Sequence, residues 1–204
     1  MRNKQLRIKN IMTGLVAIIA VVGLIILSQM VKNRGGVNIS CDSDHPVADN
    51  LVCYRQDDTQ WKDEKLGESK YTMKSSGCIT ACIASAISVS EEPMNPGELV
   101  KLLSDNNVFD GAGNMQWGKV DEIPGFHAEV FSTPNQKDIE DCLAEGRYPI
   151  VKIHRKSLFS YHHFILIVGS KDGEYICMDP LKDSLTKLSD YGNRIYSVRC
   201  VWHD

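Results

Sequence analysis

Ser75-Ser76-Gly77-Cys78-Ile79-Thr80-Ala81-Cys82-Ile83-Ala84-Ser85 sets two cysteines four residues apart behind a Ser-Ser-Gly turn, in a run otherwise made of small and β-branched residues. Residues 79–89 contain no Gly or Pro, which predicts a buried helix beginning just after Gly77-Cys78. On a helix, positions i and i+4 share a face with Cβ atoms about 5–6 Å apart. A disulfide needs about 3.5–4.5 Å, so these two cysteines are not expected to bridge each other. Nor do they suggest zinc: there is no Cys-x-x-Cys and no second close pair to complete four ligands. Their positions differ in kind. Cys78 sits where the helix begins, and unpaired N–H groups at a helix N-terminus favour a thiolate. Cys82 lies one turn inside among Ala81, Ile83 and Ala84, a setting for core packing.

A nucleophilic cysteine needs an imidazole to hold its proton, a group to orient that imidazole, and a donor for the oxyanion. Downstream, residues 149–154, 163–168, 174–178 and 195–202 read as strands, after helices expected at Asn95-Pro96-Gly97-Glu98 onward, around Trp117, and over 135–145. Helices first and strands after is an α+β pattern. His163 opens the strand His163-Phe164-Ile165-Leu166-Ile167-Val168, and Asp179 follows the next strand across the Lys171-Asp172-Gly173 turn. An antiparallel hairpin brings the start of one strand against the end of the other, so His163 and Asp179 are expected side by side. His162 competes for the base role, and alternation sends it to the opposite face. Gln56 ends Leu51-Val52-Cys53-Tyr54-Arg55-Gln56, read as a short edge strand, and is a candidate oxyanion donor. Trp61 and Trp117 read as core or groove lining.

The run Tyr54-Arg55-Gln56-Asp57-Asp58-Thr59-Gln60-Trp61 with Gly67, then Ser76-Gly77-Cys78-Ile79-Thr80, His163-Phe164 and Met178-Asp179-Pro180, resembles the papain-like cysteine peptidases related to the bacteriocin-processing, double-glycine leader peptidases. The resemblance covers about residues 51–200. It implies Cys78 as nucleophile, His163 as general base, Asp179 as its orienting residue and Gln56 as oxyanion donor, in a bacterial hydrolase that needs no metal or cofactor and acts on a peptide or protein. The implied fold is papain-like α+β, an N-terminal helical part whose nucleophile helix packs on an antiparallel sheet. Relatives commonly carry Gly where this chain has Ile79, which motivates two alternatives. One is a degenerate module that binds peptide or cell-wall material without cleaving it; the other is a thioester-forming acyl transferase on the same triad.

Residues 11–27, with the uncharged run continuing to Val31, give roughly 20 apolar positions, enough to span a bilayer core. Arg2, Lys4, Arg7 and Lys9 precede them without an acidic residue, which keeps the N-terminus cytoplasmic and exports the rest. A cleaved signal peptide fits less well, because the apolar run is long and Leu27-Ser28-Gln29-Met30 is a poor cleavage site. The expected organisation is a basic cytoplasmic segment (1–10), one transmembrane signal anchor (11–31), a polar linker (32–50) and an extracellular peptidase-like domain (51–204). The exported part holds all 26 acidic residues and 17 of the 23 Lys and Arg, a balance that argues against nucleic acid as a partner. Seven cysteines leave at least one unpaired. Cys41 and Cys53 could pair, and Cys142, Cys177 and Cys200 could be bridged or be core thiols; spacing does not choose among them.

Overall fold

The computed structural model describes the backbone of residues 2–32, 35–131, 133–155 and 161–204, and their side chains except those of 2–11 and 29–32. The chain divides into two units, Met1–Gly36 and Val37–Asp204.

The first unit is one helix, α1 (Arg2–Lys32). Its described side chains, residues 12–28, are all exposed. Among the described residues no helix is long and apolar enough to cross a membrane. The basic flank and both ends of the 11–31 segment expected to be an anchor have side chains outside the described residues.

The second unit is α+β, with helices packed on an antiparallel sheet. Its elements are β1 (Val37–Asn38), α2 (Met73–Ser76), α3 (Cys78–Ala86), α4 (Pro96–Asp105), α5 (Trp117–Val120), β2 (Phe126–Phe131), α6 (Gln136–Ala144), β3 (Pro149–Arg155), β4 (Tyr161–Lys171), β5 (Glu174–Met178), β6 (Thr186–Lys187), β7 (Arg194–Ile195) and β8 (Ser197–His203). Six strands form the main sheet in the order β2-β8-β3-β4-β5-β6, and β1 pairs with β7. α4 starts as its sequence suggests: Asn95 Oδ1 accepts from the Gly97 and Glu98 amides, and the Glu98 carboxylate accepts from the Asn95 amide. Ile83, Ile87, Leu99 and Leu103 from the helical side and Ile150, Ile153, Ile165 and Leu166 from the sheet are fully buried in one core. Each contributes about 1.5–3 kcal/mol relative to exposure.

Residues 51–56 do not form the expected strand. Their alternate amides find other acceptors: Val52 N–H donates to Ser88 Oγ, Tyr54 N–H to Ser85 Oγ and Gln56 N–H to Pro180 O. Hydroxyls on and just after α3 thus take the place of a ladder. The segment read as a linker also differs from 37 onward. β1 pairs with β7, Ile39 is buried in the core, and His45 exchanges backbone hydrogen bonds with Ser170.

Cys142 on α6 is disulfide-bonded to Cys200 on β8, 58 residues apart, a loop closure worth about 4 kcal/mol on the chain-entropy model. Cys41, Cys53, Cys78, Cys82 and Cys177 are free. The Cys41–Cys53 option is not taken: the Cys41 thiol donates to Ser43 O, and Cys53 is exposed.

Candidate active site

Two short helices meet at Gly77, which ends α2 and caps α3. A Cβ there would lie 2.6 Å from Met73 O and 2.7 Å from Met73 Cα. Only glycine allows this approach, and it sets Cys78 as the first residue of α3, half-buried, with no acidic residue in that first turn. Cys82, one turn on, is fully buried, and its thiol donates to Phe164 O on β4. Burial, with Cys78 and Asp179 nearby, pushes the Cys82 thiol well up, so it stays protonated. The two cysteines are unequal in structure as their positions in the sequence suggest.

His163 and Asp179 are both buried, and His163 Nε2 lies 2.7 Å from Asp179 Oδ1. A β-bulge makes this pairing possible. From the turn, Lys171↔Glu174, Ser170↔Tyr175 and Gly169↔Ile176 are in register, but the next pair is Ile167↔Cys177, leaving Val168 extra. Without that extra residue, continuing the register would put Asp179 opposite Leu166, on the face shared by Phe164 and His162. With it, Asp179 falls in line with Ile165 and His163. His162 therefore points away, its ring edge-on to His154 with centroids 4.2 Å apart.

Nε2 being committed to Asp179, the other ring nitrogen of His163 is left for Cys78, which lines the same cleft and is among the groups that raise the imidazole. Burial alone would discharge this histidine. The hydrogen bond to Asp179 and the nearby Cys78 outweigh it and push His163 up to about 9. Burial likewise disfavours the Asp179 charge, but His163, the Leu181 amide and the Tyr191 hydroxyl hold it down at about 2. Leu181 N–H donates to Oδ1 at 2.9 Å and Tyr191 O–H to Oδ2 at 2.7 Å. Tyr191 is itself pushed up by burial and by Asp179, which keeps it a donor. The result is a line from Cys78 through His163 and Asp179 to Tyr191, in which the imidazolium and carboxylate are the resident charge states.

Gln56 stands beside this line. Its backbone N–H donates to Pro180 O, next to Asp179, and its Nε2 donates to Lys74 O at 2.9 Å, with a longer 3.4 Å contact to Met73 O. Oε1 is buried without a partner. The four residues singled out from sequence are thus brought together, Gln56 with its amide turned partly onto α2. Tyr191 was not foreseen; it reaches Asp179 from a short 3₁₀ turn, and no local pattern marks it.

Cys78, His163 and Gln56 line an open cleft of about 840 Å³, with Ile79, Trp117, Phe164, Lys152 and Arg199 among its walls. Ile79 is half-buried and packs against the core, so the residue following Cys78 serves as wall. The Arg155–Tyr161 loop falls largely on residues 156–160, outside the described residues. No protein-family model matches this chain, and no curated protein matches it.

The buried pair predicts the pH dependence of stability. His163 is raised from 6.5 to about 9, so its stabilisation is fully present below pH 6.5 and lost as pH rises through about 9. Asp179 is lowered from 3.8 to about 2, so its stabilisation is present above pH 3.8 and lost as pH falls through about 2. Urea denaturation of wild type should show the alkaline loss between pH 7 and 10, and His163→Gln should lack that step. The same alkaline slope in both proteins would show that another group is responsible.

Proposed function

We propose that the second unit is a papain-like cysteine peptidase domain that hydrolyses peptide bonds through Cys78, His163 and Asp179. The single observation that carries this reading is the hydrogen-bonded line His163–Asp179–Tyr191 whose imidazole shares a cleft with Cys78. A half-exposed thiol joined to a charged, buried imidazole is the arrangement nucleophilic catalysis requires, whereas a structural cysteine has no use for it. The Cys78 thiolate attacks the substrate carbonyl carbon, and the carbonyl electrons move onto oxygen. The Cys78 N–H, unpaired as the first amide of α3, stabilises that oxyanion, with the Gln56 side-chain amide beside it. His163 gives its proton to the leaving amine, and the acyl group remains on sulfur as a thioester. Water, deprotonated by His163, releases the acid and restores the pair. An acyl transferase would differ only in admitting an amine in place of that water.

The apolar run of 11–31 is proposed as a single-pass anchor, N-terminus cytoplasmic and domain extracellular, supported by the exposed apolar face of α1 at every described position. A binding module without catalysis draws support from one feature, the engagement of Gln56 Nε2 with Lys74 O.

Thiol labelling separates these readings. A peptidyl-epoxide probe should modify Cys78 ahead of the exposed Cys53, as mapped by mass spectrometry, at a rate set by the ion pair. Labelling of Cys53 first, or of both at equal rates, would remove the peptidase reading and leave the binding module.

A further inference from the structure

The exported part of the chain is acidic, yet none of the described residues lining the Cys78 cleft is Asp or Glu. Its walls instead carry Lys74, Lys152 and Arg199. Lys74 has a counter-charge in Asp57, which it helps to hold ionised. Lys152 and Arg199 have none among the described residues, and the residues left undescribed contain no Asp or Glu at all.

The two cations are neighbours by design of the sheet. On adjacent strands Lys152 pairs with Ser197, and Ile150 with Arg199, so Lys152 and Arg199 are diagonal neighbours on one face, about 7–8 Å apart at the backbone. Burial and the nearby Arg199 charge both lower Lys152, a sign of two cations held together unneutralised. The Arg199 guanidinium is fixed rather than free. It lies 5.1 Å from the Trp117 ring centroid and 5.4 Å from that of Phe164, and it donates through Nη1 to Ser197 Oγ. Its Nε is buried with no partner. A planar fork clamped by aromatics, with donor capacity unused and an ammonium beside it, is built to receive a carboxylate. Nothing else in the cleft supplies the missing negative charge. His162 and His163 are the remaining titratable side chains nearby apart from Cys78 and the tyrosines Tyr71 and Tyr161; His162 is lowered by burial and by Lys152 and so brings no anion.

We propose that Lys152 and Arg199 form a carboxylate-binding subsite of this cleft, so that the peptide it takes carries an acidic side chain or a free C-terminus. This rests on the peptidase reading of Cys78 only in that the bound peptide is then cut; the binding itself needs no turnover.

Ligand-detected NMR on the full chain tests it with three probes. N-acetyl-glutamate α-amide has only a side-chain carboxylate, N-acetyl-glutamine only a terminal one, and N-acetyl-glutamine α-amide neither. At least one charged probe should bind about fivefold or more tighter than the neutral one, and which one does identifies the source of the carboxylate. Arg199→Gln and Lys152→Gln should each erase that preference, while Arg199→Lys keeps it in part. Equal binding of all three probes, or a preference indifferent to both Gln variants, would overturn the subsite. Should Arg199→Gln fail to fold, Lys152→Gln, at a half-buried position, decides the same point. Iodoacetamide labelling of Cys78 in the same samples keeps the two ideas apart: an unreactive Cys78 with the preference intact removes the peptidase reading alone.

Discussion

Cys78→Ala is expected to lower turnover of any cleaved peptide by roughly 10⁶-fold, the scale on which loss of a nucleophile acts when its partners cannot substitute for it. No other group can take over. Cys82 is one turn away, but it faces Phe164 O in the core, and burial keeps it protonated. His163 would remain paired with Asp179, so the fold should change by no more than about 1 kcal/mol, as expected for removing one half-buried sulfur. The measurement is peptide-library digestion read by mass spectrometry, with urea denaturation alongside. A Cys78→Ala protein that still cut at comparable rate would place the chemistry elsewhere, whatever its stability.

Asp179→Asn should cost roughly 10⁴-fold in turnover, because an amide preserves shape but no longer fixes the tautomer or supports the imidazolium. Its effect separates from that of Asp179→Ala. The carboxylate accepts from His163, the Leu181 amide and the Tyr191 hydroxyl at once. Alanine leaves all three without their acceptor in a buried place, a loss of roughly 3–5 kcal/mol. Asparagine retains some of these bonds, so it should be the more stable variant while remaining nearly as inactive. Titration of His163 by NMR gives the decisive readout: it should fall from about 9 in wild type toward the ordinary histidine range in Asp179→Asn. An unchanged His163 titration would mean that Cys78, not Asp179, sustains the charge.

Much of the fold was legible because its signals are local. Asn95-Pro96-Gly97-Glu98 carries its own cap, and β3, β4 and β5 are short apolar runs separated by turn residues. What was missed or misread depends on distant partners. Phe126–Phe131 contains Glu and His in six residues and becomes a strand only through pairing with β8, more than sixty residues on. Leu51–Gln56 has strand-like composition, but Ser85 and Ser88 capture its amides. The site divides the same way. Cys78 could be told from Cys82 by its place at a helix start, whereas alternation separates His162 from His163 without saying which meets Asp179. That choice turns on Val168, one unpaired residue that no sequence period announces. Tyr191 reaches Asp179 only from the turn after β6, and Lys152 meets Arg199 only across the sheet.

The Cys142–Cys200 bridge closes a segment that contains Lys152, His163, Asp179 and Arg199 but not Cys78. On the proposed function, the nucleophile and the groups that activate it therefore respond oppositely to reductant. A reducing agent that reverses oxidation of Cys78 is the same agent that opens the bridge closing off His163 and Asp179. Burial resolves the conflict: Cys142 and Cys200 are 4% and 1% exposed, while Cys78 opens to the cleft. A mild thiol can then reach the one sulfur without reaching the other two, so that the staple stays closed while Cys78 is kept reduced.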